Sequence, residues 1–424
     1  MKRRIFILAL LLSLSQTSYA QNARPGWFVI ENREEAIPAI EQQNVKQEEL
    51  PPAKQPQKIQ KNDYVEDETL PEIVPDADKI RFASNNKDLR IAETWLKNEF
   101  NKDNNKNIVI SPLALYTSSL LLANGLTDDS LLEFSQLFSI LHLNKTNQKL
   151  TQYLDNKKEN ISLNLSLWGK AFTERYQNLM KQQLSAEIWG IQDTTEQINN
   201  WINARTEGLI KDIAPVEQLS DNHICIAGFA QLKDTLLAPF DAKDTQETEF
   251  TNLDGTKSKI SMMYQTSQTE YYSDANMQAV RLYFNSGNYI TILLPRSRTD
   301  FKQFVLNLRS HQLKPRFKQK VWLDLLLPKI NIEYASAKTD EYYKTLGINK
   351  VFADENYDFA KMISYDSSYA VKDIYLKAKI ELNDSTIDNK EENRAPDEKI
   401  QFIANRPFIY IINNGDFIGT FVHK

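Results

Sequence analysis

The chain has 424 residues, 51 Lys and Arg against 56 Asp and Glu, 41% hydrophobic residues, one cysteine and 11 glycines. That length allows one large domain or two to three smaller ones with a sizeable core, and a formal net charge of −5 gives no electrostatic reason to expect nucleic acid or an anionic membrane as partner. The single cysteine, Cys225, excludes an intrachain disulfide framework and a cysteine-based zinc site, and the four histidines are not spaced as a local metal pair.

Residues 1–20 read as a secretory signal. Lys2, Arg3 and Arg4 form a basic start, residues 5–14 an apolar run, and Ser18-Tyr19-Ala20 a small-residue cleavage site. Export to a periplasmic or extracellular space after cleavage near Ala20 is therefore expected. The apolar run is too short to span a bilayer. Residues 21–80 hold seven of the 15 prolines among many Gln and Glu, the composition of an extended or disordered spacer. Within it Trp27-Phe28-Val29-Ile30 is an isolated apolar patch, readable as a weakly ordered segment or as a docking peptide. Residues 81–424 read as one continuous globular region without internal repeats.

In that region, residues 88–100 carry helical spacing with Asp88 placed to cap them. Ser111 and Pro112 then supply a cap and a first-turn proline ahead of residues 113–123, which are apolar nearly all round and so belong inside a large core. Amphipathic helices follow over residues 131–141 and 198–213, the second broken near Gly208. Residues 224–226 read as an apolar strand that buries the Cys225 thiol. Residues 278–284, 289–294, 321–327, 407–412 and 417–422 are β-rich runs bounded by Pro, Asn or Gly. Helices first and strands later predict an α+β protein. The chain contains no GxGxxG, GxxxxGKS/T or GxSxG pattern, so no cofactor, no metal and no enzymatic activity is expected.

Several segments together resemble the serpin family. Asn107-Ile108-Val109-Ile110-Ser111-Pro112 is similar to the opening of the buried serpin helix. Asn200-Trp201-Ile202 through Thr206-Glu207-Gly208-Leu209-Ile210-Lys211-Asp212 is similar to a second helix end. Phe250, Gly255 and Met262-Met263-Tyr264-Gln265 match a third motif. Leu293-Leu294-Pro295, Leu327-Pro328-Lys329-Ile330, Leu346-Gly347-Ile348, Asn405-Arg406-Pro407-Phe408 and Phe417-Ile418-Gly419 follow in family order, so the likeness spans roughly residues 85–424. The resemblance implies a serpin fold of three β-sheets with eight or nine helices and an exposed reactive-centre loop. It also implies inhibition of serine proteases by insertion of the cleaved loop into the main sheet.

The loop departs from the family pattern. Residues 375–383 align with the strand before the hinge, and the hinge itself reads Asp384, Ser385, Thr386, Ile387, Asp388 and Asn389 where the family has an acidic pair, Gly, Thr and several alanines. If Ile387 faces the core on insertion, Asn389, Glu391 and Asn393 follow it there. Arg394 is the candidate bait and favours a trypsin-like serine protease. The stretch from Thr386 to Arg394 extends only about 26 Å at roughly 3.3 Å per residue, and Lys399 is a later alternative with little exposed chain behind it. In the shutter region Ser111 and Pro112 are kept, while the family's hydrogen-bonded Asn and His are replaced by Gly228 and Leu376. Insertion is therefore doubtful on sequence, and a non-inhibitory binding or carrier module is the competing expectation. A monomer is expected in either case. His142 and His223 read as turn or surface residues, and Lys314, Arg316, Lys318 and Lys320 as a solvated face.

Overall fold

The computed structural model describes residues 86–190, 194–296, 299–318, 320–336, 339–364, 368–387 and 396–423. The expected signal and spacer, and Asp388, Asn389, Glu391, Asn393 and Arg394 of the loop, lie outside them.

Eight α-helices occur among the described residues: α1 (Asn86–Lys102), α2 (Pro112–Ala123), α3 (Asp128–Phe138), α4 (Leu143–Asp155), α5 (Glu174–Leu184), α6 (Glu196–Arg205), α7 (Phe301–Asn307) and α8 (Thr339–Thr345). Helix α2 starts as its local chemistry requires. The Ser111 hydroxyl accepts from the Ala114 N–H at 3.1 Å and donates to the Asp416 carbonyl at 2.9 Å, and Pro112 occupies the first turn. Every residue of α2 except Tyr116 is buried, so this helix is the centre of the core. Helix α1 begins two residues before Asp88, which therefore lies in the first turn and not at the cap. Helix α3 begins three residues earlier than the apolar spacing suggests and closes at Ser139, which takes a left-handed φ of 55°. Helix α6 stops at Arg205. Gly208 at φ +81° turns the chain, and the Ile210 N–H bonds the Thr206 hydroxyl at 3.0 Å, so residues 206–213 do not continue the helix.

The strands make two ladders. A five-stranded sheet runs in the order β10 (Ile330–Ser336), β11 (Ala370–Leu382), β4 (His223–Leu232), β2 (Ile161–Gly169), β3 (Glu187–Gly190). The nine-stranded sheet runs β1 (Ile108–Ile110), β14 (Phe417–Phe421), β13 (Phe408–Ile412), β8 (Tyr289–Pro295), β7 (Met277–Tyr283), β6 (Lys257–Ser273), β9 (Lys320–Pro328), β12 (Ile400–Ile403), with β5 (Gln246–Thr251) also on β6. Where three sheets are expected, two of them are joined through β6, which is 17 residues long. Its residues 262–270 pair with β9, and residues 270–273 pair with β7.

Alternation along the central strands separates two apolar clusters. Ile224, Ile226, Ala230, Ile374, Leu376, Ala378 and Ile380 face the main core around α2. Cys225, Ala227, Phe229 and Tyr375 face a smaller cluster with Trp168, Ile198, Trp201 and Ile202, beneath α6. The β1–β14 edge is closed by a backbone approach only glycine allows. A Cβ on Gly419 would sit 1.9 Å from the Ile108 carbonyl oxygen and 2.3 Å from the Tyr410 hydroxyl. Tyr410 itself donates to that carbonyl at 2.6 Å. Gly419→Ala is expected to cost more than about 3 kcal/mol, because a buried backbone contact must move; urea denaturation of the variant checks this.

Candidate functional site

The five-stranded sheet has an unusual centre. Strand β11 is antiparallel to β10, and β4 is antiparallel to β2, yet β11 and β4 run parallel to each other. Their seam is registered from Ala370 opposite His223 to Lys379 opposite Gln231, with one irregularity between Val371 and Asp373. Parallel pairing is slightly less stable per residue than antiparallel pairing. A strand entering between the two and running against both would replace one parallel ladder with two antiparallel ones.

Gly228 and Leu376, singled out in the sequence, are direct partners across this seam. A Cβ on Gly228 would lie 2.9 Å from Leu376 Cδ2 and 3.4 Å from Leu165 Cδ1, so the leucine fills the space beside the glycine. The seam is held here by apolar contact with no side-chain hydrogen bond across it. Beneath it the Ser118 hydroxyl is buried without a partner. Ser111 and Pro112 stand at the start of α2, and they tie that helix to the β13–β14 turn through the Asp416 carbonyl.

Beyond β11 the chain is clamped. The Asp384 carboxylate takes the Lys329 ammonium at 2.8 Å and the Thr245 hydroxyl at 2.6 Å. Burial works to raise its pKa, but the hydrogen bonds from Lys329 and Thr245 outweigh that and hold it below the ordinary 3.8. The Ser385 N–H donates to the Phe240 carbonyl at 2.9 Å, and the Ser385 carbonyl accepts from the Ala242 N–H at 2.9 Å. Asp384 and Ser385 are thus docked on the connection between β4 and β5. Thr386 is exposed and Ile387 half-buried. The far end of the loop is fixed by β12, where Ile400 pairs with Leu323. Lys399 reaches Asp324 at 3.5 Å, and that carboxylate also accepts from Tyr264 at 3.0 Å and Thr266 at 2.7 Å. Residues 386–399 are the span between the two anchors.

Two groups of contacts escape sequence reasoning. The Lys329–Asp384 pair joins positions 55 residues apart, and only the position of Lys329 within a motif hinted at it. A strap from the α6–β4 connection is also invisible in sequence. Lys377 on β11 donates to the Asp212 carbonyl at 3.1 Å while pairing with Glu333 at 2.7 Å, and Lys372 meets Glu217 at 3.2 Å. Cys225 is fully buried, and burial pushes its thiol up to about 12, an inert group. His223 is half-buried and accepts from the Ser220 N–H through Nδ1 at 3.1 Å. His142 immediately precedes α4. Lys314 is half-buried, and Arg316, Lys318 and Lys320 are exposed. Among the described residues no cluster of His, Cys, Asp or Glu is arranged to hold a metal, and no helix is long and apolar enough to cross a membrane.

Comparison with known proteins agrees with this architecture. The family described as Serpin (serine protease inhibitor) matches residues 90–423. The chain belongs to the serpin family. Antithrombin-III of Bos taurus is 25% identical over 350 residues, covering 73% of this chain and 74% of the relative. The native-state structure of the thermophilic serpin tengpin superimposes with a TM-score of 0.70 at 20% identity, covering 81% of this chain and 94% of tengpin. Human thyroxine-binding globulin, in its complex with thyroxine, gives a TM-score of 0.69 at 18% identity, covering 80% of this chain and 97% of that one. These structures share the fold, and the family is one of protease inhibitors and not of enzymes.

The Asp384 clamp carries a signed pH dependence. Because its folded pKa lies below 3.8, its contribution is complete above that range and fades as pH falls through the lowered value. Asp384→Asn is expected to weaken the docking of Ser385 by about 1 kcal/mol near neutral pH, roughly fivefold in local opening. Amide exchange at Ser385 should show the difference between wild type and variant at pH 7 and its disappearance near pH 2.

Proposed function

We propose that the protein is an exported serpin that meets a trypsin-like serine protease through residues 386–399, with Arg394 offered to the protease's primary pocket. The reading is supported most by the parallel β4–β11 seam, flanked by a loop anchored at Ser385 and Ile400. Export rests on the basic, apolar and small-residue pattern of residues 1–20. The protein acts as a monomer, without cofactor or nucleic acid.

The polar hinge biases the encounter toward cleavage over trapping. From Ala370 to Lys379 the seam is about as long as an extended Thr386–Arg394 segment, roughly 26–30 Å. Arg394 would reach the foot of the seam only if almost no residue served in the reversal and the Asp384 clamp opened. Insertion would then bury Asn389, Glu391 and Asn393 beside Ile387. Each unpaired Asn opposes this by about 1–3 kcal/mol and the carboxylate by several more.

A second reading, a non-inhibitory binding or carrier module, is favoured by the clamp itself, which keeps Asp384 and Ser385 outside the sheet. Thyroxine-binding globulin carries its ligand on the same fold.

The test mixes the mature protein with trypsin-, elastase- and subtilisin-like proteases. Cleavage after Arg394 by the trypsin-like enzyme is expected, with a minor detergent-stable band and a melting temperature changed by only a few degrees. Arg394→Ala should abolish both the nick and the band. A large rise in melting temperature on nicking would overturn the polar-hinge argument. Absence of both nick and band across the three classes would leave the binding module.

A further inference from the structure

Strand β11 carries Asp373 at the end opposite the clamp. Asp373 stands where the seam register shifts, directly opposite Cys225 of β4. One of its oxygens accepts the Ile374 N–H at 2.7 Å and the Asp340 N–H of α8 at 3.2 Å. We infer that Asp373 makes the foot of the β4–β11 seam a proton-sensitive closure, tighter in mild acid and looser near neutral pH.

The groups packed around it explain why. From the segment preceding β4 comes Glu217, and from α8 comes Asp340. Both are carboxylates, and both already have cations: Lys372 at 3.2 Å for Glu217 and Lys344 at 2.8 Å for Asp340. Strand β4 contributes His223 and the buried Cys225 thiol, and β11 itself contributes Lys372 and Tyr375, whose hydroxyl is buried without a partner. From the short helical turn Lys350–Phe352 comes Lys350, whose ammonium points to Asp129 at 3.4 Å. Strand β10 pairs with β11 only from Leu376 onward, and among its described residues none with a charge stands opposite Asp373. Among the described residues no lysine or arginine forms an ion pair with Asp373, and two like charges lie close to it.

The sign follows from that surrounding. Burial first, then the Asp340 and Glu217 charges, raise the Asp373 carboxyl from 3.8 to about 6. The closed seam therefore holds the proton more tightly than an opened one. The penalty of ionising Asp373 begins as pH rises past 3.8 and is complete above about 6. His223 has the opposite sign, because burial lowers its pKa and its protonation would loosen the seam in acid. Asp384 stays ionised from pH 5 upward and is silent in this window. This response belongs to the sheet alone, whether or not a protease is the partner.

Hydrogen exchange of the intact mature protein, corrected for intrinsic rates, tests it. Protection of the amides around Cys225 and Asp373 is expected to fall about 10-fold from pH 5 to pH 7.5, because the part of the shift between 3.8 and 5 is already spent at the starting pH. Asp373→Asn, which fixes the neutral form, should bring protection at the two pH values to within about threefold of each other. Asp340→Asn, which removes one like charge and leaves the seam residues intact, should shrink the fall without reversing it. A flat wild-type profile, protection that drops in acid as His223 would dictate, or an unchanged fall in Asp340→Asn would each overturn the inference.

Discussion

The parallel contact between β4 and β11 is the constraint around which the rest of the domain is arranged. Two neighbouring strands that run the same way must be connected by a long crossover, and here nearly 140 residues separate them, including most of the nine-stranded sheet. The seam is closed from both faces. The buried helix α2 lies under Leu376 and Gly228, and α6 with its following strap lies over Cys225, Ala227 and Tyr375. The strap is positioned by Asn199, whose side-chain Oδ1 accepts the Ile213 and Ala214 N–H groups at 2.9 Å each. Opening the seam therefore disturbs two apolar clusters at once.

The sequence was most legible where structure is local. Ser111 and Pro112 announce α2 because cap and first-turn preferences act within four residues, and Gly208 turns the chain just beyond α6 through its own φ. Strands β8, β13 and β14 were readable as dense apolar runs. Helices α4 and α5 escaped because their exposed faces are mostly Asn, Gln and Lys, leaving few apolar positions to show a period. Strand β6 escaped for a related reason: it serves two ladders, so its buried and exposed residues do not alternate along the whole length. The family likeness carried the topology that periodicity could not.

The site was legible as positions but not as interactions. Gly228 and Leu376 could be named from motif alignment, yet only register shows that they meet. Asp384 looked like a surviving acidic hinge residue; its three-dimensional role is to receive Lys329 and Thr245 from two other elements. Charged pairs between distant segments leave no periodic trace, so they lie beyond any reading of one chain. The same holds for Asp416, buried inside the core. Tyr153 and Asn413 each donate to one of its oxygens at 2.5 Å while the other oxygen has no partner. Burial raises its pKa, which favours a neutral acid there.

Whether the seam stores usable energy depends on what a new strand would bring to it. Backbone bonding favours insertion, since two antiparallel ladders replace one parallel ladder. Against this stand the clamp at Asp384, the two Ser385 backbone bonds, and side chains that water holds better than a core does. Net backbone hydrogen bonds contribute on the order of 1 kcal/mol each, and burying one unpaired carboxylate can cancel several of them. With alanines along the loop the ladder term would stand unopposed. On the proposed function, Asn389, Glu391 and Asn393 in their place would bring the balance to near zero or below, and the closed sheet would be a resting state instead of a loaded one.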